Sequence, residues 1–245
     1  MLRIHGCVAL VTGSNRGLGR AFCEGLIQRG AKKVYAAARD PARISTAGVI
    51  PCKLDVTLLA DVASLVGSCQ DVTLLINNAG LLRDSPMLGT NSQAAAREEM
   101  DTNYFGPLGL IQEFKPVLAR NGGGAIVNVL SVASWFTNPF MATYCASKAA
   151  EEVLTDATRM QLRSQSTHVL GVYAGYIDTD MAAAVNRPKT SPREVVDRTL
   201  AGVESGADRV FADDRAEFID RRVRTDPESF YADLQRLWDE RGDGG

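Results

Sequence analysis

Three side chains in the stretch SVASWFTNPFMATYCASK, residues 131–148, could together move a proton: the Ser131 hydroxyl, the Tyr144 phenol and the Lys148 ammonium. Tyr144 and Lys148 are four residues apart, which on a helix places them on one face with Cβ atoms roughly 5 to 6 Å apart. A free phenol titrates near pH ~10, so acid–base work close to neutrality needs its pKa to fall by roughly 3 units, about 4 kcal/mol. One unit charge about 4 Å away at an effective dielectric of ~20 supplies about 4 kcal/mol. The lysine is therefore expected to bring the phenol most of the way. Alone, the Tyr-x-x-x-Lys tetrad also describes an ordinary helix turn, so its weight depends on the elements around it.

Those elements form a consistent series. Residues 7–12 (CVALVT) are a short apolar run suited to a strand buried on both faces, and residues 18–27 have helical spacing. Between them lies Thr12-Gly13-Ser14-Asn15-Arg16-Gly17-Leu18-Gly19, a glycine-rich turn at a helix N-terminus. Free N–H groups and the helix dipole make such a turn an anion site, here suited to a pyrophosphate. A second strand, 33–38, leads into Arg39-Asp40-Pro41. In a dinucleotide-binding unit this zone reads the adenosine ribose, with an acid for NAD or an arginine for the 2′-phosphate of NADP. Arg39 and Arg16 supply two guanidiniums, which favours NADP; Asp40 is the counter-signal, although a residue before proline also suits a turn.

Further strands are expected at 49–53, 72–76, 125–129, 167–173 and 209–212, with helical segments between them. Asp55 and Val56 follow the third strand at its carboxyl end, where ligands of open α/β sheets bind. The fourth strand ends at Asn77-Asn78-Ala79-Gly80, whose amides could bind backbone or cofactor. Residues 92–120 read as helical with an interruption at Gly106-Pro107. Asn103, a poor residue for a helix interior, is expected to have a structural job there. Ser191-Pro192 marks a helix start, the tail 213–240 reads as charged helix, and 241–245 as a frayed end. No repeat or long linker divides the chain, so residues 1–245 are expected to form one domain.

Composition excludes several alternatives. The 245-residue, 26.4 kDa chain has a formal net charge of −2, which gives no reason to expect a nucleic acid or an anionic membrane as partner. No apolar run approaches the ~20 residues of a membrane span. The N-terminal residues lead directly into a strand and glycine loop, so a cytoplasmic protein is expected. The five cysteines are scattered without C-x-x-C spacing, against both a disulfide framework and a metal site. Neither histidine, His5 or His168, has neighbours suited to a ligand or a catalytic base.

Taken in order, Thr12-Gly13-x-x-x-Gly17-x-Gly19, Asp55, Asn77-x-Ala79-Gly80, Asn103, Ser131 and Tyr144-x-x-x-Lys148 resemble the short-chain dehydrogenase/reductase family of the compact type. The likeness implies a single-domain, doubly wound Rossmann fold of the α/β class, a mostly parallel sheet of about seven strands flanked by helices. It implies that Tyr144 donates or accepts the substrate proton, that Ser131 holds the substrate oxygen, and that Lys148 lowers the phenol pKa and binds nicotinamide-ribose hydroxyls. Asn103 would help hold a water leading to the lysine. Asp55 and Val56 would lie by adenine, and Asn77, Ala79 and Gly80 near the adenosine half. Gly13, Asn15, Gly17, Leu18 and Gly19 would line the phosphates, and Gly175, Ile177 and Thr179 the nicotinamide. The activity implied is NADPH-dependent reduction of a ketone or aldehyde, or its reverse. A non-catalytic NADP-binding redox sensor is the alternative.

The chain also departs from the family pattern. Ala174-Gly175 replaces the usual Pro-Gly, which should loosen that backbone, and Leu130 replaces a frequent serine. A short segment separates Met181 from Ser191, implying an open pocket. The C-terminus lacks the glycine-rich strand of many tetrameric members, so a homodimer through the helices before and after Ser131 is expected over a tetramer. Trp135, Phe136, Phe140, Tyr176 and Met181 are the expected substrate neighbours, suggesting an apolar or ring-bearing molecule.

Overall fold

The computed structural model describes residues 1–241, so the last four residues of the expected frayed tail lie outside the described residues. The apolar runs become strands β1 (Val8–Thr12), β2 (Lys33–Ala38), β3 (Ile50–Lys53), β4 (Leu74–Asn77), β5 (Gly124–Val129), β6 (Thr167–Tyr173) and β7 (Arg209–Phe211). They pair in parallel in the order β3-β2-β1-β4-β5-β6-β7. Every residue of β1 is buried, which accounts for the unbroken run VALVT: helices cover both faces, so no polar alternation is required. The chain winds outward from β1 in one direction to β3 and in the other from β4 to β7, leaving a crevice beyond the carboxyl ends of β1 and β4.

The helices are α1 (Gly17–Gln28), α2 (Leu59–Ser68), α3 (Ser92–Met100), α4 (Gly106–Arg120), α5 (Ala142–Leu162), α6 (Pro192–Ser205), α7 (Asp214–Thr225) and α8 (Pro227–Arg241). One core, containing Phe22, Leu26, Val196 and Leu200, lies on the side of α1 and α6. The opposite core, containing Leu65, Leu110, Phe114 and Leu154, lies under α2, α4 and α5. Helix α6 starts as its local sequence dictates: the Ser191 hydroxyl accepts from the Glu194 N–H at 3.2 Å, Pro192 opens the first turn, and Gly206 closes the helix at φ 74°.

The interruption expected at Gly106-Pro107 takes another form. Residues 101–105 make one wider π turn that joins α3 to α4, and Pro107 falls in the first turn of α4, where its missing N–H costs little. Beneath the sheet edge, a buried polar chain ties strands to helix. Asn77 donates to Asn128 Oδ1 at 2.8 Å, and Asn128 to Thr155 Oγ1 at 2.9 Å. Thr155 in turn donates to the Glu151 carbonyl at 2.7 Å, fixing α5 against β4 and β5.

Candidate active site

The crevice is a cleft of about 1100 Å³ running from the glycine turn after β1 to the C-terminal helices. Its first wall is the turn itself. Gly13 and Gly17 adopt φ of +66° and +52°, and a Cβ on Gly19 would sit 2.2 Å from the Gly13 carbonyl oxygen. Arg16 precedes α1 without offering a side-chain cap, so among the described residues no side chain caps the N–H groups of the first turn. Gly13, Asn15, Arg16, Gly17, Leu18 and Gly19 all border the cleft. This cradle suits a phosphate group.

Asn78 holds the turn against the sheet: its amide donates to the Thr12 carbonyl at 2.8 Å, while its own N–H and that of Ala79 donate to Thr12 Oγ1 at 3.0 and 2.9 Å. Asn78, Ala79 and Gly80 line the cleft; Asn77 does not. Asn77, expected near the adenosine half, is instead 2% exposed and committed to Asn128, because its side chain falls on the inner face of β4.

At the other end of the turn, Arg39, Asp40, Asp55 and Val56 border the cleft, joined by Arg43, which the sequence reading missed. The Asp40 carboxylate accepts from the Ala42 N–H at 3.1 Å and caps a short 3₁₀ turn. It therefore takes the turn-forming role that its place before Pro41 allowed. Asp55 likewise caps locally, accepting from the Thr57 N–H at 3.0 Å and hydroxyl at 2.7 Å.

Ser131, Tyr144 and Lys148 meet where β5 ends and α5 begins, and all three line the cleft. Ser131 caps the following 3₁₀ turn through the Ala133 N–H at 3.1 Å. The Lys148 ammonium lies 5.9 Å from the Tyr144 ring centre. It donates to the Val129 carbonyl at 2.9 Å and to Glu151 Oε2 at 2.6 Å. The electrostatics correct the simple expectation for the phenol. Burial raises the Tyr144 pKa, Lys148 and the Ser131 hydroxyl pull it down, and Glu151 pushes it up, leaving it above the ordinary phenol value. One ammonium does not bring this phenol towards neutrality, because burial first and the Glu151 carboxylate second act against it.

Asn103 lies in the π turn, fully buried and away from the cleft surface. Its side chain donates to the Leu81 carbonyl and the Ser147 hydroxyl at 2.8 and 2.9 Å and accepts from the Leu81 N–H at 2.8 Å. It thus fixes the loop after β4 to α5.

Among the expected substrate neighbours, Phe136, Phe140, Tyr176 and Met181 border the cleft. Trp135 does not: it stacks on Tyr173 at 4.5 Å and packs edge-on against Phe211 at 5.7 Å. The reading also missed the C-terminal wall. Ile219 of α7 and Phe230, Leu234 and Leu237 of α8 line the cleft, with Phe230 edge-on to Phe136 at 5.0 Å and Trp238 beside Phe140 at 5.2 Å. These helices offset the openness expected from the short 181–191 segment. Nor is the backbone at Ala174-Gly175 loose. The Gly175 N–H donates to Asp213 at 2.8 Å, the Val132 N–H donates to the Ala174 carbonyl at 3.1 Å, and Arg215 packs against the glycine. Gly175, Ile177 and Thr179 follow along the same wall.

Comparison with known proteins agrees with this geometry. The family model described as short chain dehydrogenase matches residues 7–190. A solved short chain dehydrogenase from Burkholderia cenocepacia J2315, in complex with NADP, is 43% identical with a TM-score of 0.91, over 95% of this chain and 99% of that one. Galactitol 2-dehydrogenase of Agrobacterium fabrum is 32% identical over 72% of this chain and 73% of its own length. Dehydrogenase/reductase SDR family member 7B of Danio rerio is 30% identical over 84% and 72% respectively. Helices α6 to α8 lie beyond the residues that the family model matches. With the parallel sheet, the glycine cradle and the Ser–Tyr–Lys group assembled on one cleft, the chain belongs to the short-chain dehydrogenase/reductase family of oxidoreductases.

Proposed function

We propose that this protein is an NADPH-dependent carbonyl reductase acting on an apolar or ring-bearing ketone or aldehyde. The observation that carries the reading is that Ser131, Tyr144 and Lys148 border the same cleft as the glycine cradle. Arg39 and Arg43 would hold a 2′-phosphate, the first turn of α1 the pyrophosphate, Asp55 and Val56 the adenine, Ala79 and Gly80 the adenosine half, and Ile177 and Thr179 the nicotinamide end. The NADP complex of the Burkholderia relative supports this choice of cofactor. When bound, the cofactor supplies the hydride.

The chain supplies the proton and the orientation. Ser131 and Tyr144 hold the carbonyl oxygen, and the Tyr144 hydroxyl gives its proton to that oxygen as negative charge develops there. The Lys148 ammonium then stabilises the phenolate. Asn103 acts at one remove by fixing Ser147 and Leu81 beside this group. Phe136, Phe140 and α8 exclude water and shape the apolar end. Phe105 of the π turn before α4 and Val153 and Met160 of α5 are 54%, 68% and 73% exposed, which supports a homodimer through α5 and the start of α4.

The test is a panel of ketones and aldehydes followed by loss of NADPH absorbance. Tyr144→Phe should lower turnover on any active compound by about 100-fold or more while leaving NADPH binding intact. Tight NADPH binding with no turnover across the panel would instead indicate a cofactor-binding sensor.

A further inference from the structure

Three residues beyond Lys148 stands a carboxylate that the proposed Ser–Tyr–Lys chemistry does not call for. Glu151 Oε2 accepts from the Lys148 ammonium at 2.6 Å, and the two side chains are only 2% and 5% exposed. The ammonium's second partner is the Val129 carbonyl at 2.9 Å, at the end of β5. Of three N–H bonds, Lys148 thus has two engaged inside the protein and one left to give towards the cleft. Burying an ion pair is expensive, and in a helix interior an apolar residue at position 151 would pack at lower cost. The carboxylate therefore calls for another explanation, and its place beside the proton-transfer group offers one.

We propose that Glu151 is a positioning residue of this site. Its carboxylate holds the Lys148 ammonium against Val129 and cancels much of the lysine's field at Tyr144, so that the phenol keeps the proton that carbonyl reduction consumes. Alcohol oxidation needs the phenolate; reduction needs the phenol. The pair thus biases the site towards the reductive direction. The inference rests on the reading that Tyr144 is the proton donor.

The surroundings leave Glu151 few other roles. Its neighbour Glu152 is bonded to Arg209 at 2.8 Å. Around this stretch of α5, β5 offers the neutral Asn128 amide and Val129 carbonyl, and the π turn offers Asn103 through Ser147. From β6, the Tyr173 phenol is influenced by Glu152. The charges acting on Glu151 are Lys148 and Glu152. Burial pushes the Glu151 carboxyl up to about 7, against the pull of Lys148. Burial works against the Lys148 charge, yet Glu151 and then Tyr144 hold its pKa above the ordinary value. The sign follows: above about pH 7 the carboxylate is charged and offsets the lysine, and below it the lysine's field reaches the phenol unopposed.

The experiment is a tyrosinate absorbance titration of the full chain, read as the difference between each protein and its Tyr144→Phe counterpart. Glu151→Gln, and Glu151→Met as an apolar variant suited to burial, should each lower the Tyr144 midpoint by about one pH unit. Thermal melts show that each variant is folded, and one folded variant suffices. A midpoint unmoved or raised in the folded variants overturns the inference, since a merely structural carboxylate would leave the phenol unchanged. The titration needs no substrate, so it separates two failures: Tyr144→Phe retaining turnover would overturn the proton-donor reading instead.

Discussion

At the end of the cleft proposed to take the adenosine half, Arg39 and Arg43 stand beside Asp40, whose carboxylate is bonded to the Ala42 N–H. Among the described residues the hydrogen-bonding groups left there are cationic, which suits a phosphate dianion better than a ribose hydroxyl. Arg39→Asp should therefore raise the KM for NADPH by about tenfold or more and that for NADH far less, as steady-state kinetics with both cofactors would read. Equal changes would sink the 2′-phosphate assignment. Arg16, the other guanidinium expected at the phosphate, reaches Asp180 at 2.9 Å, with the two side chains 66% and 70% exposed. Such an exposed pair contributes at most about 1 kcal/mol, so Arg16 can leave it for a stronger acceptor. The exchange of Asn77 for Asn78 at the cleft is likewise a single-residue matter. Side chains alternate across a strand, and only the strand's seating decides which of two adjacent amides faces the core.

Among the elements, α5 was legible because Tyr144 and Lys148 fix its phase, but nothing in that spacing singled out Glu151 three positions on. That it forms a buried pair with Lys148 followed only from how α5 packs on β5. Helix α8 is the opposite case. Its sequence reads as charged helix with no link to the site, yet Phe230, Leu234 and Leu237 face the cleft. Burying a leucine against a ligand is worth about 1.5 to 3 kcal/mol. Replacing Leu234 and Leu237 together by Ala should therefore raise the KM for a bulky apolar ketone by about tenfold or more and leave that for a small aldehyde nearly unchanged. Equal effects on both compounds would show that the helix supports the site without touching substrate.

For the whole molecule, the proposed dimer would cover the exposed Phe105 of the π turn and Val153 and Met160 of α5. Sedimentation equilibrium should give twice the 26.4 kDa of one chain, and Val153→Asp with Met160→Asp should return the monomer. A wild-type monomer at micromolar concentration would discard the dimer. The sequence alone determined the apolar strand runs, the glycine turn and the Tyr144–Lys148 spacing, and its family resemblance implied the parallel sheet of about seven strands and the place of Ser131 beside them. Buried strands demand continuous apolar runs, glycine turns demand glycine, and a Tyr–Lys face demands a spacing of four, all local requirements written along the chain. What only the tertiary structure decided was the balance of charge at the phenol and the C-terminal wall of the cleft. Both arise between residues whose nearness or orientation is fixed by packing: Lys148 and Glu151 are driven together because the space around them is closed to water, and α8 reaches Phe136 and Phe140 across a chain separation that no local pattern encodes.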